Sequence, residues 1–267
     1  MYESHWGLEE TPFRSCLGER FFYASPTHEE ALARLHFLVD QHRRLGLLMG
    51  ESGSGKSLLF DVFLAWINRQ GLPVAKLSLL GMSASEFLWE LSAGFGLNPD
   101  RSTSGGELWG MLVDRLAEYR YQKLGAVVLL DDADRADTEV LTQVTRLVEH
   151  EVAPEFQLTI ILAGQPERMA RLDSQLLELA ELRIDVEPWQ AGDTESFVSE
   201  SLSQVGRQSP LFDEPAVTRL HELSHGVPRR VSQLADLALM AGAGRELDHI
   251  DAQLVESAYR GLGLIEV

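Results

Sequence analysis

Cysteine is nearly missing from this chain of 267 residues: Cys16 stands alone, which excludes an intramolecular disulfide and a zinc site built on cysteine pairs. The lone thiol reads as a small apolar packing residue. Lysine is almost as scarce, at Lys56, Lys76 and Lys123, so nearly all of the positive charge is arginine, which favours fixed bidentate contacts. Basic residues are outnumbered 23 to 41, a formal net charge of −18 that opposes nonspecific attraction to nucleic acid or anionic lipid. The longest apolar runs, Leu124–Leu130 and Leu158–Gly164, are strand-sized and far short of the roughly 20 residues that cross a bilayer. The opening residues lack the basic and apolar stretches of a signal peptide. The expectation is a cytoplasmic protein with no anchor and no membrane insertion. There is no internal repeat and no low-complexity segment.

What is present suits a packed domain: 45% apolar and 24% charged residues. Phe21, Phe22 and Tyr23 precede a helix start at Ser25-Pro26-Thr27-His28-Glu29-Glu30, with Ser25 or Thr27 as cap and Leu32, Leu35, Leu38 and Val39 on one face. Apolar strands are expected at 45–49, 73–79, 126–130, 157–162 and 182–186, alternating with helices at 57–68, 85–95, 106–120, 138–149 and 168–179. That alternation implies a parallel, doubly wound sheet with helices on both faces. After Pro188 only helices follow, near 194–205, 214–223, 229–243 and 251–261, as a small all-helical domain. The expected division is a lead-in at 1–45, an α/β domain at 46–190 and the helical domain at 191–267. The tryptophans are expected in the core, with Trp6 alternatively packing against a neighbour.

Gly50-Glu51-Ser52-Gly53-Ser54-Gly55-Lys56-Ser57 matches G-x-x-x-x-G-K-[ST] in full, between an expected strand and a helix. Glycines let the backbone turn its N–H groups inward as a nest for phosphate oxygens, and the helix behind, opening on Ser57 and Leu58, adds the positive end of its dipole. Lys56 is then placed to bridge the β- and γ-phosphates and Ser57 to ligate Mg²⁺. Downstream, Val127–Leu130 runs into Asp131-Asp132, where Asp131 is placed to hold the metal and Asp132 to polarise the attacking water; Asp134 and Glu139 are the alternatives to Asp132. Gln165, after the strand Ile160–Gly164, stands where an amide can read the γ-phosphate, or else merely occupies a turn. His221-Glu222-Leu223-Ser224-His225 matches H-E-x-x-H, but Gly226 and Pro228 break the helix directly behind it, so a chance match is expected rather than zinc.

With these pieces in order, the chain resembles the AAA+ ATPases of the general-secretion-protein-A (ExeA-like) group, close to the TniB, TnsC and MuB type of transposition regulator. The resemblance rests on His5-Trp6-Gly7-Leu8, Phe22-Tyr23 with Ser25–Leu32, the glycine loop, Leu129–Asp134, Ala163-Gly164-Gln165-Pro166-Glu167, Leu182-Arg183-Ile184 and Gly226-Val227-Pro228-Arg229. It implies an AAA+ sheet with a helical lid, ATP and Mg²⁺ as ligands, Gln165 as first sensor and Arg229 as second. It also implies Arg183 as an arginine finger, with Arg168 the lesser candidate, and the Phe22–His28 segment near adenine. ATP rather than GTP follows from the same likeness, as no N-K-x-D motif is present. The resemblance implies assembly into a ring or filament with ATP bound. Asp132 departs from the group's glutamate and is one methylene shorter, which predicts slow hydrolysis. Three readings follow: an ATPase assembling or remodelling a protein partner, one regulating transposition on double-stranded DNA, or a nucleotide switch with little hydrolysis.

Overall fold

The computed structural model describes residues 2–13, 22–150, 158–172 and 174–261; Cys16, Phe21 and Gln157 lie outside these. In chain order the elements are α1 (Glu3–Trp6), α2 (Pro26–Asp40), β1 (Leu45–Gly50), α3 (Lys56–Gln70), β2 (Val74–Ser78), α4 (Ala84–Gly94), α5 (Gly105–Tyr121) and β3 (Ala126–Asp131). They continue with α6 (Thr138–Glu149), β4 (Leu158–Gly164), α7 (Pro166–Met169), α8 (Ser174–Glu178), β5 (Leu182–Val186), α9 (Ala191–Gln204), α10 (Glu214–Ser224), α11 (Pro228–Gly244) and α12 (Ala252–Gly261). Contacts divide the chain into two units: His28–Ser52 with Lys56–Val186, and Met1–Thr27 with Gly53–Gly55 and Glu187–Val267.

In the first unit the five strands form one parallel sheet in the order β2-β3-β4-β1-β5. The central strands β1, β3 and β4 are covered on both faces, which is why each reads as a continuous apolar run. The outer strands β2 and β5 alternate buried with partly exposed positions, as edge strands do. Ser83 with Glu86 and Ser104 with Glu107 form capping boxes that fix where α4 and α5 begin. The helix expected at 168–179 is instead two, α7 and α8. Pro166 sets an earlier start, and Arg171 and Leu172 donate back only three residues, to the carbonyls of Arg168 and Met169, tightening the chain out of the α-helix. Thr27 does not cap α2: it lies inside the helix, and its hydroxyl accepts the Glu187 N–H at 3.1 Å.

The helical unit packs around Trp6, Trp189, Phe197, Leu202, Leu220, Leu234 and Leu239. Trp6 serves this core and does not await a neighbour: it is 2% exposed, and its indole N–H donates to the Leu239 carbonyl at 2.9 Å. The turn before α11 is closed by a backbone pair, Trp189 N–H to Gly226 O at 2.8 Å. Gly226 has φ +69°, and a Cβ there would stand 2.2 Å from the Trp189 carbonyl oxygen. Gly226→Ala therefore combines a left-handed backbone with a backbone clash and is expected to cost about 3 kcal/mol of stability. A shift below ~1 kcal/mol in denaturant unfolding would contradict that packing.

Candidate functional site

Parallel pairing brings the carboxyl ends of the strands to one edge of the sheet. Met49 stands beside Gly164 and Ser78 beside Asp131, while Leu130 and Leu162 pair two layers back. Ligands of open α/β sheets bind in the crevice outside these ends. The glycine loop leaves β1 there and enters α3, with Gly53 at φ +89° and Gly55 at φ +99°, left-handed conformations that a side chain disfavours. Lys56 arcs back over the loop and donates from Nζ to the carbonyls of Gly50 and Glu51, both at 2.8 Å. That holds the ammonium at the loop's mouth. Ser54 is buried, Glu51 and Ser52 are exposed, and Leu58 is half-buried in the first turn of α3, where backbone N–H groups lack intrahelical partners.

The acidic strand end meets this loop directly. Ser57 Oγ donates to Asp131 Oδ2 at 2.5 Å, and Asp131 Oδ1 accepts the Asp132 N–H at 2.9 Å. A hydroxyl and a carboxylate presented together beside a phosphate nest are the oxygen donors that Mg²⁺ selects, so this pair fits the ion. Asp132 has φ +54° and ψ +31°, a left-handed conformation in a residue that is not glycine, of the kind that clusters at active sites. Its carboxylate accepts a hydrogen bond from Ser78 Oγ at 2.9 Å.

Ser78 is the site residue that sequence reasoning missed. Nothing in a serine closing an apolar strand points to this role; only the neighbouring placement of β2 and β3 brings the hydroxyl to Asp132. Ser78→Ala is expected to lower ATP turnover about tenfold, the worth of one hydrogen bond to a charged group, with KM within twofold. An unchanged kcat would mean that Ser78 does not orient the carboxylate.

Gln165 is the N-cap residue of α7 at the end of β4, half-buried, between the ends of β1 and β3. Asp134 lies beside it with only 3% of its side chain exposed, whereas Glu139 is exposed in the first turn of α6. Arg183 is not brought to this edge. It pairs with Leu47 in mid-strand, and its guanidinium is held by Asp185, with Nε 2.9 Å from both carboxylate oxygens and Nη2 2.8 Å from one. Those bonds raise its pKa above the ordinary arginine value. In the helical unit Arg229 opens α11 with an exposed side chain, and its backbone N–H donates to Gly53 O at 3.2 Å. A Cβ on Gly53 would approach Arg229 Cβ to 2.9 Å. His221 Nδ1 lies 2.9 Å from Thr194 Oγ1, and His225 sits past the end of α10 in a left-handed conformation.

A family profile described as "AAA domain" matches residues 39–172, half of the chain. The chain belongs to the AAA domain family. It is 29% identical over 271 residues to General secretion pathway protein A of Aeromonas hydrophila, covering 99% of this chain and 49% of that protein. It thus spans about half the length of that curated relative. Among solved structures it is similar to Cdc6p from Pyrobaculum aerophilum, with a TM-score of 0.75 and 16% identity over 96% of this chain and 71% of that one. It is also similar to the Aeropyrum pernix ORC1 protein in complex with DNA, with a TM-score of 0.68 and 18% identity over 92% and 68% of the two chains. These likenesses show the AAA+ fold: a parallel P-loop sheet followed by a helical region.

Proposed function

We propose that this AAA+ chain binds Mg-ATP and hydrolyses it to assemble or remodel a protein partner. The observation that carries the reading is the 2.5 Å contact between Ser57 and Asp131, which joins the phosphate loop to the acidic strand end. In this account the loop N–H groups and Lys56 bind the phosphates, and Ser57 and Asp131 hold the metal. Mg²⁺, when bound, neutralises charge on the β- and γ-phosphates. Asp132, oriented by Ser78, accepts the proton of the attacking water. Gln165 reads the γ-phosphate from the end of β4, and Arg229 does so from the lid. Within this scheme 1–45 is the lead-in, 46–190 the ATPase domain and 191–267 the lid. The short reach of Asp132 makes the chemical step slow.

The partner class follows from charge and kinship. A net charge of −18 disfavours polyanions, and the relative in Aeromonas hydrophila is named for secretion, so a protein partner ranks first. Double-stranded DNA is the second reading, favoured by the fold's likeness to ORC1 in complex with DNA. Among the described residues no helix is long and apolar enough to cross a membrane.

Assembly is the testable step. Particle mass should rise with ATP relative to ADP. If Arg183 is the finger it must leave Asp185 for a neighbour's nucleotide, so Arg183→Ala keeps ATP binding but loses the rise of specific turnover with protein concentration. A normal rise in that variant would place the finger elsewhere. Duplex DNA that raises turnover severalfold would move the DNA reading to first place.

A further inference from the structure

The turn that follows β3 and the turn that follows β4 each carry one candidate site residue, Asp132 and Gln165, and they lie against each other. The first is a 3-10 turn, Ala133–Arg135, closed by Arg135 N–H to Asp132 O at 2.9 Å. The second is α7, closed by Arg168 N–H and Met169 N–H to Gln165 O at 3.1 and 2.8 Å. Gly164 permits their close approach: a Cβ there would stand 2.9 Å from Asp134 Cβ and 2.7 Å from Met169 Sδ. Met169 is fully buried and anchors the second turn in the sheet's core.

Asp134 is out of place in such a contact. Only 3% of its side chain is exposed, yet its buried Oδ2 receives no hydrogen bond from the described residues. A buried carboxylate oxygen without a donor is costly, and such groups are rare enough in native structures that each calls for a specific explanation. Among the described residues Arg168 is its ion-pair partner, with Nη1 3.9 Å from Oδ2 and nearly half its side chain exposed. That separation exceeds a hydrogen bond by about 1 Å, a distance one rotamer adjustment closes. Two further arginines, Arg135 and Arg171, line a cavity of about 580 Å³ with Asp134 and Arg168, but neither guanidinium makes a hydrogen bond or ion pair among the described residues.

We propose that Asp134 is a positioning residue: its buried carboxylate closes on Arg168 when nucleotide is bound, locking the turn after β3 to the turn after β4 and so fixing Asp132 relative to Gln165. The inference rests on the ATPase reading above and adds to it a latch made of residues that touch neither nucleotide nor metal. The latch uses the arginine in cis. It therefore makes Arg168 a partner of its own subunit's site rather than a finger for the next.

A double-mutant cycle tests the latch. Asp134→Asn and Arg168→Gln conserve shape and remove the ion pair. Each is expected to lower kcat about tenfold with KM for ATP within twofold, and the double variant to fall about tenfold and no further, because the second change removes a contact already lost. Arg168→Lys, which keeps the charge, should retain most of the rate. Effects that multiply to about a hundredfold, or single variants that match wild type, overturn the proposal. Amide hydrogen exchange reads the latch without turnover. Adding Mg-ATP or a non-hydrolysable analogue should slow exchange at Arg168 and Met169 in wild type and not in Asp134→Asn. Exchange slowed in wild type and not in the variant, with no turnover in either, would contradict hydrolysis and keep the latch. Identical slowing in both proteins overturns the latch and leaves the ATPase reading standing.

Discussion

Lys56→Ala should weaken ATP binding by about a hundredfold, the loss of two charge-assisted hydrogen bonds to phosphate at ~1.4 kcal/mol per factor of ten. Lys56 is one of three lysines in the chain, and its Nζ is held at the mouth of the glycine loop by two carbonyls at 2.8 Å. Phosphate oxygens arriving there replace or share those acceptors, so the ammonium is already in position. The variant leaves the fold in place, because the buried apolar positions of β1 and α3 do not include residue 56. Fluorescence anisotropy with a labelled ATP analogue measures the affinity, and circular dichroism checks the fold. Affinity within threefold of wild type would remove Lys56 from the site.

Asp132→Asn is the second large effect. The substitution keeps the shape and leaves an amide oxygen able to accept from Ser78, but it removes the base. Turnover should fall at least about a hundredfold while ATP affinity stays near wild type, the range expected for loss of a general base. Asp132→Glu separates reach from identity. If the missing methylene limits hydrolysis, the glutamate variant turns over faster than wild type. If the left-handed backbone at Asp132 and the hydrogen bond from Ser78 already aim the shorter carboxylate, it turns over more slowly. An Asp132→Asn variant with undiminished turnover would move the base to Asp134 or Glu139.

Much of the sheet was legible because central parallel strands carry a strong signal. Val127–Leu130 and Ile160–Leu162 are apolar at every position and must be covered on both faces, and the glycine loop supplied the strand–loop–helix context. What was not legible depended on contacts distant in sequence. The four residues of α1 have too few turns to show a helical period; they are held by Trp6 docking on Leu239, more than 230 positions away. Thr27 looks like a cap by type, and only the return of the chain at Glu187 gives its hydroxyl another donor. Ser78 acquires meaning from strand order alone. Arg183 was offered as a finger by the resemblance alone, and no sequence signal marked its partner: residues two apart on a strand share a face, and Asp185 takes its guanidinium. The helix expected over 168–179 followed its leucine spacing, which cannot reveal the tightening of the chain after Met169.

Steady-state ATP turnover of the purified chain with Mg²⁺, across a protein concentration series and against Lys56→Ala as the blank, tests the central claim most directly. The account predicts slow turnover above the blank, abolished by EDTA and rising per subunit as the protein concentrates. Turnover indistinguishable from the blank at every concentration, with ATP still bound by the wild-type chain, would contradict hydrolysis and leave a nucleotide-dependent switch.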